Sequence, residues 1–226
     1  MRSSYISRGY GHLLKALTLV SGPGVCVEVG LLDGYSMLII GEAIRHSGQG
    51  HLYAYDLFED YPYTHATYDA IADRITRFNL DKVVTLRRND AIAAAADFDD
   101  LTLAMVHIDI SNTGEIVRQA IEAWDSKLKP GGLLLFEGGS PLRDEVGWMK
   151  TFNRKAIFPE LCSNSLLREN YTTTVLHPFP SMVLCSKNPT TDTAVQKELG
   201  FDLAEGRSLH GEIAEEELLR DLFPNA

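Results

Sequence analysis

The segment Gly24-Val-Cys-Val-Glu28-Val-Gly30-Leu-Leu-Asp33-Gly34-Tyr35-Ser36 constrains this chain more than any other. Val25, Val27 and Val29 form a short apolar run that ends in glycine and passes at once into a helical pattern. A buried strand therefore feeds a tight turn and a helix N-terminus, where a ligand can approach the backbone and free N–H groups point outward. The spacing is Glu-x-Gly-x-x-x-Gly, with Glu28 standing where a dinucleotide-binding loop has its first glycine. A carboxylate there suits a cationic or hydroxyl-rich ligand better than a pyrophosphate. Buried near a strand end, it also needs a ligand or nearby N–H groups as partner.

The same alternation continues along the chain. Hydrophobic patterning predicts strands over about 25–29, 51–55, 83–86, 104–108 and 133–136. Helices are expected over about 36–46, 67–78, 91–96 and 116–128, and Lys129-Pro-Gly-Gly132 reads as a turn. Strands and helices alternating at this pitch imply right-handed βαβ units and an α/β, doubly wound, mostly parallel sheet. A helical preface is expected over 3–20. Beyond Gly139 the pattern loosens: 146–156 and 161–167 read as helical, and 171–176 and 182–186 flank His177-Pro-Phe-Pro-Ser181 as an antiparallel terminal hairpin. An acidic amphipathic helix is expected over 211–222. No repeat or linker breaks the chain, so one domain over 1–226 is expected: preface 1–23, ligand-binding core 24–139, and a substrate-shaping region 140–226.

Charge narrows the partners. The net charge of −10 argues against a general nucleic-acid binder, whose affinity rests on phosphate neutralisation. Seven acidic against two basic residues fall between Gly200 and Ala226, so half of that charge sits at the end of the chain. That acidic helix could dock on a second protomer in a homodimer or stand as a solvated face. The three cysteines are scattered, with no Cys-x-x-Cys pair, which fits a reducing compartment better than a zinc site or disulfide framework. With no apolar signal core and no run approaching ~18 apolar residues, the chain reads as cytoplasmic and not membrane-bound.

Several carboxylates fall at the carboxyl ends of the expected strands, where ligands bind in such sheets. Asp56, followed by Leu57, ends the second strand and could accept both hydroxyls of a ribose, or cap a turn. Asp90 in Arg88-Asn-Asp90-Ala91 could cap the next helix, accept from an adenine amino group, or do both. Asp109 closes the fourth strand after His107, itself read as a strand histidine facing a packed layer. Glu137 ends the fifth, beside Asp109, and the two are candidates to share a divalent metal such as Mg. Tyr61, Tyr63, His65 and Tyr68 cluster after Asp56 as a lid or a packed surface loop, with His65 a candidate general base.

In combination and order, Val-Glu28-Val-Gly30-x-x-x-Gly34-Tyr35-Ser36, Asp56, Asp90-Ala91, His-Ile-Asp109 and Leu-Lys-Pro-Gly-Gly-Leu-Leu-Leu-Phe resemble the core of class I S-adenosylmethionine-dependent methyltransferases. The subgroup most similar is the small-molecule O-methyltransferases, including the catechol type and the type acting on sugars in antibiotic pathways. The resemblance implies a seven-stranded Rossmann-like sheet with one antiparallel edge strand. It assigns Glu28, Gly30 and Gly34, with Tyr35 and Ser36, to the methionine and ribose part of the cofactor, Asp56 with Leu57 to the ribose hydroxyls and Asp90-Ala91 to adenine. If the chain is a transferase, Asp109 would stand at the top of the sheet beside the transferred group.

Metal-dependent relatives place one acid after the fourth strand and an Asp-Asn or Asp-Asp pair after the fifth. Here the second position reads Glu137-Gly138. Their usual Lys or His three residues past the first acid is Asn112, which cannot act as a base. The expected activity is methyl transfer from S-adenosylmethionine to a hydroxyl oxygen of a small molecule. Asp109 would orient or deprotonate the acceptor, with His65 the base if no metal is bound. Two rivals remain at this stage: a nicotinamide-dependent oxidoreductase, which Glu28 disfavours, and a non-catalytic relative acting as a partner subunit, which Gly138 and Asn112 favour.

Overall fold

The computed structural model describes residues 2–6, 9–62, 65–177 and 181–189, and the short paired strands Phe201–Asp202 and Arg207–Ser208. Residues 1–188 form one compact unit and 189–226 a second. The expected acidic helix over 211–222 lies outside the described residues.

The first unit is built on a seven-stranded sheet in the order β3-β2-β1-β4-β5-β7-β6. Its strands are β1 (Val25–Val29), β2 (His51–Asp56), β3 (Val84–Arg88), β4 (Leu103–Ile108), β5 (Leu128–Glu137), β6 (Tyr171–Leu176) and β7 (Met182–Lys187). The first five run parallel, and β7 pairs antiparallel with both β5 and β6. The antiparallel strand is therefore not the edge strand. The hairpin folds back so that β7 slots between β5 and β6, because Val183 and Cys185 are as apolar as a central strand requires.

Alternation along the central strands divides the core in two. Val27, Val29, Val106, Ile108, Leu134 and Phe136 face α4 (Gly114–Trp124), α7 (Ile157–Ser163) and α8 (Ser165–Asn170). Cys26, Leu52, Ala54, Met105, Leu133 and Leu135 face α1 (Tyr10–Val20), α2 (Tyr35–Ser47) and α3 (Tyr68–Arg77). Both faces of the sheet are covered, so its strands read as nearly continuous apolar runs. Glu28 and His107 share the second face and are register partners across β1 and β4.

Three local expectations give way to local chemistry. The preface is helical only from Tyr10, because Gly9 takes a left-handed φ of 68°, which leaves residues 2–6 free to run across the top of the sheet. Lys129–Gly132 do not form a separate turn. They are an irregularity inside β5, where the register with β4 jumps from Leu103↔Leu128 to Met105↔Leu133. The fourth expected helix starts at Gly114, since the Thr113 side chain caps it by accepting from the Ile116 N–H. Beyond β5, short helices at Pro141–Asp144 (α5) and Gly147–Thr151 (α6) lead into α7.

No described helix is long and apolar enough to cross a membrane. All three cysteines are free thiols. Burial pushes Cys26 and Cys185 up to about 12, whereas Cys162 is exposed. A thiol reagent is expected to titrate one group per native chain, Cys162, and all three cysteines after denaturation. Rapid native reaction of a second thiol would contradict this packing.

Candidate active site

At the carboxyl end of β1 the chain turns so tightly that Gly30 lies directly under the backbone of Asp109. Gly30 has φ +88°, its N–H donates to the Tyr55 carbonyl, and a Cβ there would fall on the Asp109 carbonyl oxygen. Only glycine admits this approach. It brings the ends of β1 and β4 together at the point where the strand order reverses, where a doubly wound sheet opens a crevice. Gly34, at φ +77°, starts α2 without a side-chain cap, so the first helical N–H groups remain available at Tyr35 and Ser36.

The crevice is a cavity of about 390 Å³. Its walls gather Gly30, Tyr35, Ser36, Asp56, Leu57, Asp90, Ala91, Asp109 and His65. Residues far apart in sequence, singled out for one ligand, thus meet in one place. The Asp56 carboxylate is fixed from the backbone side: Oδ2 accepts the Leu31 N–H at 2.7 Å and Oδ1 the Phe58 N–H at 2.8 Å. Asp90 caps its 3-10 turn, its Oδ1 accepting from Ile92 at 2.9 Å and Ala93 at 3.1 Å. His65 Nδ1 is 3.4 Å from Asp56 Oδ1, and its ring packs on Tyr61 with centroids 4.6 Å apart. The Tyr61 hydroxyl meets Ser111 Oγ at 2.7 Å across the cavity. Tyr63 lies outside the described residues.

Glu28 departs from expectation. It does not line the cavity but is fully buried behind it, with Oε1 3.2 Å from His107 Nδ1. One partner of the buried carboxylate is therefore a protein histidine on the next strand, while Oε2 has no hydrogen-bond partner among the described residues. Gly34 is likewise off the wall and acts through the helix it starts. Burial disfavours a charged His107, but the hydrogen bond and charge of Glu28 outweigh it and raise the imidazole above its ordinary value.

Sequence patterning missed the amino-terminal segment. Arg2 clamps Asp33 with its backbone N–H at 2.7 Å and its guanidinium at 2.9 and 3.1 Å, which holds the Asp33 carboxyl down to about 2. Arg2, Ser3 and Ser4 thereby become part of the cavity wall. Behind them Tyr5 is fully buried, its hydroxyl 3.1 Å from His107 Nε2. Burial first, and then the neighbouring Glu137 carboxylate, push the Asp109 carboxyl up to about 7.

The residues present do not fit a divalent metal. Glu137 is absent from the cavity wall, and its carboxylate is taken by the Arg143 guanidinium. Gly138 offers no ligand, and the Asn112 amide Nδ2 donates to backbone carbonyls of Ile108 and Glu137. Among the described residues no three His, Cys, Asp or Glu side chains are grouped to hold an ion. The expected pairing of Asp109 and Glu137 around Mg is corrected accordingly.

Two outcomes follow from this geometry. Gly30→Ala is expected to cost several degrees of melting temperature or to prevent folding, because the clash is with backbone. Asp109→Asn should melt with the wild type near pH 4 and above it at pH 8, by about 3 °C or more. The sign follows from the raised carboxyl: unfolding frees it to ionise, so its cost appears as pH climbs past the unfolded value and is complete above about 7. Thermal melts across that range check both.

A family profile described as a methyltransferase domain matches residues 27–137. No curated protein matches the chain by sequence. Among solved structures, an O-methyltransferase from Bacillus cereus in complex with SAH is similar at 16% identity and a TM-score of 0.61, over 83% of this chain and 84% of that one. A protein described as a caffeoyl-CoA O-methyltransferase from Staphylococcus aureus aligns at 17% identity and TM-score 0.59, over 80% and 84%. One described as an rRNA methylase from Clostridium thermocellum aligns at 13% and 0.59, over 84% and 98%. At these identities the structures speak for the fold. Together with the profile match over residues 27–137, the sheet order and the strand-end crevice, they show a methyltransferase domain with the class I fold.

Proposed function

We propose that the chain transfers a methyl group from S-adenosylmethionine to a hydroxyl oxygen of a small molecule. The observation that carries this reading is the convergence of Gly30, Asp56, Asp90 and Asp109 on one cavity of about 390 Å³. That volume lies in the range of small-molecule sites, and the net charge of −10 supports a small acceptor over nucleic acid. Bound S-adenosylmethionine supplies an already activated methyl group on a sulfonium, so the protein's tasks are alignment and exclusion of water.

Each residue has a part in that alignment. Asp56, steadied by two backbone N–H groups, keeps lone pairs free for ribose hydroxyls. Leu57, Asp90 and Ala91 form the adenine side, and Gly30 with the N-terminal turn of α2 forms the methionine side. Asp109 is the group we assign to the acceptor hydroxyl. A carboxyl raised to about 7 is matched to taking a proton near neutral pH. His65, lying against Asp56, serves the ribose side of the cavity and not the acceptor.

Calorimetric titration tests the reading. S-adenosylmethionine is expected to bind at micromolar strength and NADH not at all, while Asp56→Ala weakens the former by about tenfold or more. Glu28→Gln should act mainly on melting temperature, since its partner is His107. Tight NADH binding with no response to S-adenosylmethionine would refute the proposal.

A further inference from the structure

The Glu137 carboxylate at the end of β5 is gripped along one edge by Arg143 of α5. Arg143 Nε lies 2.9 Å from Oε1 and 3.2 Å from Oε2, and Nη2 lies 3.0 Å from Oε2. Both side chains are enclosed, 6% and 10% exposed. Burying two charges is costly even when they are paired, so the surroundings must be shaped to hold them. Gly138 does the shaping. A Cβ at its position would come within 2.9 Å of Ile157 Cδ1 and 3.2 Å of Arg143 Cγ. The missing second acid at 138 and the presence of the guanidinium are thus one feature: the side chain that is absent leaves the room through which Arg143 passes.

Two further contacts fix the arrangement. Ser140 caps α5 by accepting the Arg143 N–H at 3.2 Å, and its own N–H reaches Ser181 Oγ at 3.2 Å. Asn112 ties the ends of β4 and β5 together through Ile108 and Glu137 carbonyls, at 3.1 and 2.9 Å. Arg143 Nη1 is buried and has no hydrogen-bond partner among the described residues. The charge of Arg143 also acts on Asp109, opposing the effect of Glu137 there.

We infer that Arg143 is the resident cation of the acceptor end of this site, a guanidinium built in where a divalent metal would otherwise neutralise Glu137 and Asp109. The inference rests on the methyl-transfer reading above and adds that this transfer runs without a metal. It also restricts how the acceptor is held. A divalent ion has exchangeable positions and can grip two neighbouring oxygens. A guanidinium with one edge already on Glu137 cannot chelate. The acceptor is therefore held by the cavity walls and needs only one hydroxyl, not a pair of adjacent oxygens. Arg143 acts through Glu137 and Asp109, as a positioning residue.

The test is a Mn²⁺ titration of the full chain, followed by electron paramagnetic resonance, alongside thermal melts. The wild type is expected to take up no Mn²⁺ below about 1 mM, and its melting temperature to ignore both EDTA and Mg²⁺. Arg143→Ala should gain a response that the wild type lacks. It melts lower, and about 10 mM Mg²⁺ restores roughly 5 °C. Adding Glu137→Gln abolishes that rescue. If the alanine variant does not fold, Arg143→Lys carries the comparison and is expected to be as indifferent to metal as the wild type. Stoichiometric Mn²⁺ uptake by the wild type that Asp109→Asn removes would overturn the inference. So would an Arg143→Ala protein as stable as the wild type and insensitive to Mg²⁺. S-adenosylhomocysteine binding in the same samples keeps the two claims apart, since its absence removes the methyl-transfer reading and leaves the metal result standing.

Discussion

The rest of the site depends on how the protein accommodates one carboxylate. Glu28 is fully buried in the middle of a parallel sheet, where an isolated charge would be untenable. His107, its register partner on the next strand, meets it on one side of the imidazole and Tyr5 meets the imidazole on the other. This line of three groups reaches from the sheet to the amino-terminal segment. Through Tyr5 it holds Ser3 and Ser4 against the cavity, while Arg2 secures the far end on Asp33. A polar interaction inside the core thus determines where an outer wall of the ligand site stands.

The order β3-β2-β1-β4-β5 puts helices on opposite faces on either side of the β1/β4 boundary, so the crevice forms there whatever the sequence of the loops. What the sequence adds is the chemistry of the strand ends. Asp56, Asp90 and Asp109 each close one of three different strands, and each is immobilised or enclosed by groups behind it. Backbone N–H groups steady Asp56, its own capped turn steadies Asp90, and the Gly30 turn lies against the backbone of Asp109. Rigid support from behind is what allows a carboxylate to present its remaining lone pairs in a fixed direction.

How much of this was legible in the sequence varies with the range of the interaction. The five parallel strands and their helices follow from short apolar runs punctuated by glycine, and the structure departs from them by only a few residues. The strand-end acids were legible for the same reason, since a strand boundary locates its last residue. The pairing of Glu28 with His107 behind the cavity wall was not legible, because a period-two pattern says which face a residue occupies but not which side chain lies across from it. Arg143 carried no signal, as a basic residue in a loosely patterned stretch looks the same exposed or buried. The position of β7 between β5 and β6 also escaped a linear reading, because a hairpin can add to a sheet through either of its strands.

The Tyr5–His107 contact joins residues 102 apart in sequence, and it can form only once β4 lies beside β1. Closing so long a loop is slow relative to the local pairing of β1, α2 and β2. The segment that carries Tyr5 is thus among the last to settle. Until it docks, the parallel sheet exists without one wall of its cavity and with a buried imidazole short of a partner. Gain of ligand affinity then becomes a late event of folding, separate in time from formation of the sheet that carries the ligand.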